Sequence, residues 1–233
     1  MANATSANLK LTVQTTGENS GTWGQITNTN LLILEQAIGG YGAFGVTNAS
    51  RSLTFTNGAV SDGKDQVIKL SGTLSASVNV TMPDSVEKTY IVEDACNHAG
   101  YTLTFKTTSG TGVLLCEGHT YSLWSDGTNV YKGSELKKWR AITAAETVQA
   151  GAQLAVNTNG GGVTVTLPAS PTIGDEVSFI DQGYDWDSNN LIVAQNGSNI
   201  VNAASNLTVA TQGGAFTLVF SGDATTGWTY TEK

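Results

Sequence analysis

The only two cysteines and only two histidines of the chain fall in two short segments, Cys96-Asn-His98 and Cys116-Glu-Gly-His119. Two thiols and two imidazoles are a zinc inventory, and two strand ends can bring four such ligands together. Their spacing fits no common zinc module, so metal is not the favoured reading. The competing readings are that each cysteine is a small buried apolar residue, or that the pair closes a disulfide after release, with both histidines exposed. A second group is Tyr184-Asp185-Trp186-Asp187, bounded by Gly183 and Ser188-Asn189-Asn190. Exposed Tyr and Trp rings stack on sugars while Asp and Asn accept hydroxyl hydrogen bonds, so this loop is a candidate glycan contact. The favoured alternative is structural, with Trp186 plugging the bottom of a β unit or a chain interface. Calcium is disfavoured, because Asp185 and Asp187 supply too few of the six or more oxygens it takes.

Hydrolysis of a glycan needs two carboxylates about 5–10 Å apart. Asp175, Glu176, Asp181, Asp185 and Asp187 make carboxylates available, but nothing in their order pairs them. No Gly-x-Ser-x-Gly elbow, phosphate-binding Gly-x4-Gly-Lys-Ser/Thr loop or His-Glu-x-x-His occurs,. The expectation is a non-enzyme without a cofactor.

The elements that must carry these residues are mostly strands. Of 233 residues 27 are Gly and only 13% are charged, about half the globular norm, giving a polar but weakly charged surface,. A net charge of −8 argues against nucleic acid, whose phosphates need clustered Lys and Arg,. The one basic run, Lys137-Lys138-Trp139-Arg140, reads as a solvated linker, and a short helix is expected over Ser134 to Ala141. No run of about 18 apolar residues offers a membrane span, and Met1-Ala-Asn-Ala-Thr-Ser lacks the regions of a signal peptide,. Synthesis in the host cytoplasm without membrane insertion is therefore expected.

One β-rich pattern is written twice. Val78 to Pro83, Ile91 to Asp94, Tyr101 to Phe105 and Tyr121 to Tyr131 correspond in order to Val163 to Pro168, Phe179 to Asp181, Asn190 to Val193 and Phe216 to Tyr230. Alternating short strands with Asn-Gly and Ser-Gly turns predict two related antiparallel β-sandwich or partly open barrel units, at 46–133 and 134–233. Ahead of them, in a leader at 1–45, Trp23, Ile26, Asn30, Leu31, Leu34, Ala37 and Ile38 recur at helical spacing,. Ser20 or Thr22 stands where a cap is needed and Gly39-Gly40 ends the helix. A single helix of about 16 residues cannot hide an apolar stripe in its own segment, so the stripe needs a partner. The partner is the first β unit, the same helix in sister chains, or another protein.

Thr16-Gly-Glu-Asn-Ser-Gly-Thr-Trp23-Gly-Gln-Ile-Thr-Asn28-Thr-Asn30, with the apolar helix that follows, resembles the N-terminal segment of tailed-bacteriophage fibre and appendage proteins. Leu167-Pro-Ala-Ser-Pro171, Asp175-Glu-Val, Asn189 to Val193 and Asn196-Gly197 look like β modules of phage virion proteins. The resemblance covers about half the chain. It implies a structural role on the virion, commonly as a homotrimer, with the leader joined to other virion proteins and the β units projecting toward a host-surface glycan. Trp23, Ile26, Asn30, Leu31, Leu34 and Ile38 are then the expected assembly contacts. Two compact units rather than a long shaft fit a short appendage, and a capsid decoration or head-fibre protein remains the alternative within this class. A stand-alone carbohydrate-binding module is the alternative outside it.

Overall fold

A computed structural model describes residues 3–223 and 225–231. Strand accounts for 42% and helix for 9%, so the protein is mainly β, well above the 20–25% strand of an average domain,. The chain divides into two compact units, Met1–Leu136 and Lys137–Lys233.

The first unit opens with an antiparallel pair, β1 (Ala4–Thr5) and β2 (Thr12–Val13), and helix α1 (Trp23–Gly39). Thr22 sits at the helix N-cap, but its hydroxyl donates back to the Asn19 carbonyl instead of accepting from the first turn. From Gly40 the backbone is extended and enters β3 (Tyr41–Gly45). The chain then weaves between two sheets. β4 (Arg51–Ser52) lies in the second sheet, β5 (Val67–Thr73) returns to the first, β6 (Val78–Met82) to the second, and β7 (Glu87–Asn97) and β8 (Leu103–Thr107) repeat the step. β9 (Gly112–Leu115) closes the second sheet, and the hairpin β10 (Thr120–Asp126) and β11 (Val130–Leu136) closes the first.

Strands of one sheet that follow one another through this weave are parallel: β3 to β5 to β7, and β4 to β6 to β8. Only the closing strands are antiparallel. The expectation of antiparallel units therefore fails for the first three strands of each sheet. Parallel neighbours ordinarily require a helical crossover, but here a strand of the opposite sheet serves as the crossover, which makes each turn a short solenoid coil. Two reversals restore the original direction, and short alternating strands leave the same mark in sequence either way.

The second unit repeats the scheme strand for strand. β12 (Trp139–Ile142), β13 (Glu146–Thr147), β14 (Gln153–Val156), β15 (Val163–Thr166), β16 (Glu176–Asp181) and β17 (Leu191–Ala194) alternate between two sheets with parallel neighbours. β18 (Leu207–Val209), β19 (Ala215–Phe220) and β20 (Trp228–Tyr230) close them antiparallel. The helix expected over Ser134 to Ala141 is absent: its residues end β11 and begin β12. Nor is the basic run a free linker. Lys137 Nζ lies 2.9 Å from the Glu176 carboxylate, and Arg140 grips Glu146 with both terminal guanidinium nitrogens.

Alternation drives the burial in both units. In β6 the side chains of Val78, Val80 and Met82 are buried and Asn79 is not; in β16 Val177, Phe179 and Asp181 point inward. Residues from both sheets of the first unit, among them Leu70, Val80, Tyr90, Phe105 and Leu123, form one continuous core. Burying each such side chain stabilises by about 1.5–3 kcal/mol.

Candidate functional site

The register places Tyr41, Val67, Ile91, Ser122 and Ser134 in one row across the five-stranded sheet of the first unit. In the second, Trp139, Gln153, Ser178 and Thr217 form the corresponding row, and Thr231 extends it by donating its N–H to the Thr217 carbonyl. Three residues beyond Ile91 and Ser178 stand Asp94 and Asp181, which are therefore equivalent. Both are buried, at 0% and 7% exposure. A carboxylate survives there because it is hydrogen-bonded.

Asp181 organises the loop that contains the candidate glycan residues. Its carboxylate accepts from the Gly213 N–H at 2.9 Å and from the Asp185 and Trp186 N–H groups at 3.4 Å. Those bonds turn the backbone inward, and Trp186 is fully buried, edge-on to Phe216. Its Nε1 has no partner among the described residues. Trp186 thus fills the unit as a plug and offers no ring to a sugar. Tyr184 is 68% exposed with φ at +53°, Asp187 is exposed, and Asp185 binds Asn189 Nδ2 at 2.6 Å. The four residues do not form one surface.

Asp94 has a different entourage. Its carboxylate lies 2.7 Å from His98 Nε2 and accepts the Cys96 N–H at 3.0 Å. Cys96 is buried, and burial together with the neighbouring Asp94 charge pushes its thiol up to about 12. His119 is fully buried. Its Nδ1 lies 2.6 Å from Glu135, and its Nε2 has no partner among the described residues. Burial disfavours the Glu135 carboxylate, yet hydrogen bonds from His119, Lys132 and Tyr121 outweigh it and hold the group at about 2. Both histidines are therefore buried rather than exposed, each against a carboxylate. Both cysteines are buried and outside any disulfide, and no three His, Cys, Asp or Glu among the described residues converge on a metal position.

The leader helix turns its polar side to the protein. The Asn30 side chain accepts the Thr12 N–H at 2.9 Å and donates to the Thr12 carbonyl at 2.8 Å, extending β2 as a neighbouring strand would. Gln36 donates to Asp65 at 2.8 Å and to the Ser61 carbonyl at 3.1 Å. Between them Ile33, outside the expected stripe, is the buried residue of the helix. The stripe itself is left in solvent: Trp23 is 65% exposed, Leu31 58% and Ile38 78%, with Leu34 exposed beside them and Ile26 half-buried. Asn30, counted with the stripe in sequence, is committed to Thr12.

One concavity went unforeseen. A groove of about 360 Å³ is lined by Trp139, Phe179, Ile180, Ala215, Phe216, Thr217 and Thr231 of the second unit. Its sequence signal, an aromatic on β12, a hydroxyl on β19 and another just after β20, becomes visible only once the register is known.

No family model matches the chain, and no curated protein does. Among solved structures, the chain is similar to one in "Structure of a chaperone-substrate complex", with 14% sequence identity, 82% of this chain and 35% of that chain covered, and a TM-score of 0.36. The chain thus spans just over a third of the length of that solved protein, a likeness too slight to carry fold or function.

Proposed function

We propose that the protein is a structural subunit of a bacteriophage virion, a short tail-fibre or appendage component that assembles through its leader, as a homotrimer and with other virion proteins. The leader's resemblance to phage fibre proteins supplies the class. The observation that carries the assembly role is the apolar stripe of α1, which stays exposed although the opposite side of the same helix is fixed to its own unit. An exposed row of Trp23, Leu31, Leu34 and Ile38 disfavours the free chain and favours a partner that removes it from water,. Leu31, Leu34 and Ile38 follow a 3-4 spacing that suits packing of like helices about a common axis. The two coiled β units then project and meet the host surface.

Truncating the leader would also remove Ile33 and the Gln36–Asp65 bond, so the cleaner perturbation is a Leu31→Ser, Ile38→Ser double variant. Light scattering on the intact chain is expected to give three times the chain mass, falling to a monomer in the variant with unchanged circular dichroism. Particles assembled with the variant are expected to lack the subunit. A monomeric wild type, or a variant that still enters particles, refutes the proposal.

A further inference from the structure

From the groove of the second unit we infer a binding site for a neutral saccharide, in which the Trp139 indole stacks on a pyranose ring and the Thr217 and Thr231 hydroxyls bond its hydroxyl groups. Trp139 begins β12, two strands away from β16 in hydrogen-bonding order, yet it lines the same groove as Ile180 of β16 and Thr217 of β19. Its indole must therefore reach across β14, and it remains 42% exposed. A sugar ring has an apolar C–H face suited to such a wall and an edge of hydroxyls that each need a donor and an acceptor. The groove supplies both. Ser178 Oγ and Thr217 Oγ1 lie 2.9 Å apart, so one hydroxyl donates to the other and the second keeps its proton for a ligand, along with unused lone pairs,.

The first unit gives an internal comparison. In the same cross-strand row it carries Tyr41, Val67, Ile91, Ser122 and Ser134. The frame accepts Val67 and Ile91 where the second unit has Gln153 and Ser178, so polar residues in this row are not required for folding. The mostly buried Ser178 hydroxyl is satisfied by Thr217 and holds the Thr217 hydroxyl in place at the groove,. Among the described residues no charged side chain lines the groove, which suits a neutral sugar. A volume of about 360 Å³ falls at the small end of the roughly 300–1,000 Å³ range of ligand pockets and suits one or two rings,. A second copy of the chain docking on this face would instead favour the aliphatic floor found in the first unit.

This site deepens the host-contact part of the reading above and names the class of ligand. Sugar binding by a chain that never enters particles would uphold the site and fail the function; incorporation without sugar binding would do the reverse. The test titrates the full-length protein with neutral tri- and tetrasaccharides built from glucose, galactose, mannose and N-acetylglucosamine, with an oligogalacturonate as acidic control, read by calorimetry and tryptophan emission. At least one neutral probe is expected to bind at millimolar affinity or tighter. Trp139→Ala should weaken it roughly five- to tenfold and Thr217→Val severalfold. Trp139→Phe should retain part of the affinity, and Tyr41→Ala all of it. No binding of any neutral probe, equal binding of the acidic control, or affinity unchanged in Trp139→Ala overturns the inference. So does a fall in solution mass with Trp139→Ala, which would mark the face as a contact between copies.

Discussion

Replacing Trp186 with alanine tests whether the Tyr184–Asp187 loop is a plug or a surface. The side chain is fully buried against Phe216, and truncating a buried Trp costs about 3–5 kcal/mol through lost transfer energy and the cavity left behind,. Its Nε1 lacks a partner, so removal also relieves an unbonded donor worth about 1 kcal/mol,. The expected net loss is about 2–4 kcal/mol, a fall in Tm of about 10–30 °C for a unit of this size. Urea denaturation followed by circular dichroism measures it, with the unfolding of the second unit analysed separately where the two transitions resolve. Trp186→Phe keeps most of the packing and loses the orphan N–H, so it should cost less than about 1.5 kcal/mol. Tyr184→Ala, at an exposed position, should stay within about 0.5 kcal/mol,. A Trp186→Ala variant as stable as wild type would mean that the indole lies on the surface, and the inward turn attributed to Asp181 would be wrong.

Glu135, held at about 2 in the folded state against 4.5 ordinarily, contributes stability that is fully present above about pH 4.5 and lost as pH falls toward 2,. On the order of 3 kcal/mol of acid sensitivity at most should therefore disappear in Glu135→Gln, read as a smaller shift of the urea midpoint between pH 5 and pH 2,. Both thiols are buried and the Cys96 thiol is pushed to about 12, so a thiol reagent at pH 8 should label neither cysteine until the first unit unfolds,. Prompt labelling of the native protein would contradict that burial.

The leader helix was legible because its apolar residues recur at three and four and Gly39-Gly40 stops them. What the pattern did not convey was which side faces the protein. Asn30, which periodicity counts with the apolar stripe, and the polar Gln36 bind the backbone of Thr12 and Ser61 and turn Ile33 inward. The repeat was also readable, down to the equivalent Asp94 and Asp181, although β7 runs on past Asp94 to Asn97. The parallel winding was not, since the alternation of buried and exposed residues is the same for either direction. Ser134-Glu-Leu-Lys-Lys-Trp-Arg-Ala141 misled through its good helix formers, whose weak preference yields to sheet pairing on both sides of the break between units,. For the candidate site, the sequence left Trp186 between a sugar contact and the favoured plug. The deciding partner, Asp181, lies in the preceding strand, and its bond to the Gly213 N–H spans a separation no local pattern records.

Asp94 and Asp181 occupy one position of the same frame and tether different things: a histidine and a cysteine backbone in one case, three amides of a longer excursion in the other. Because a single fastening point carries the chain out of the third strand, the segment beyond it is free to lengthen or change composition while the ladder behind it keeps its register. Inserting a foreign peptide at the exposed Asp187–Ser188 turn, with Asp181 and the buried Trp186 intact, is thus a route to new specificities on the same scaffold.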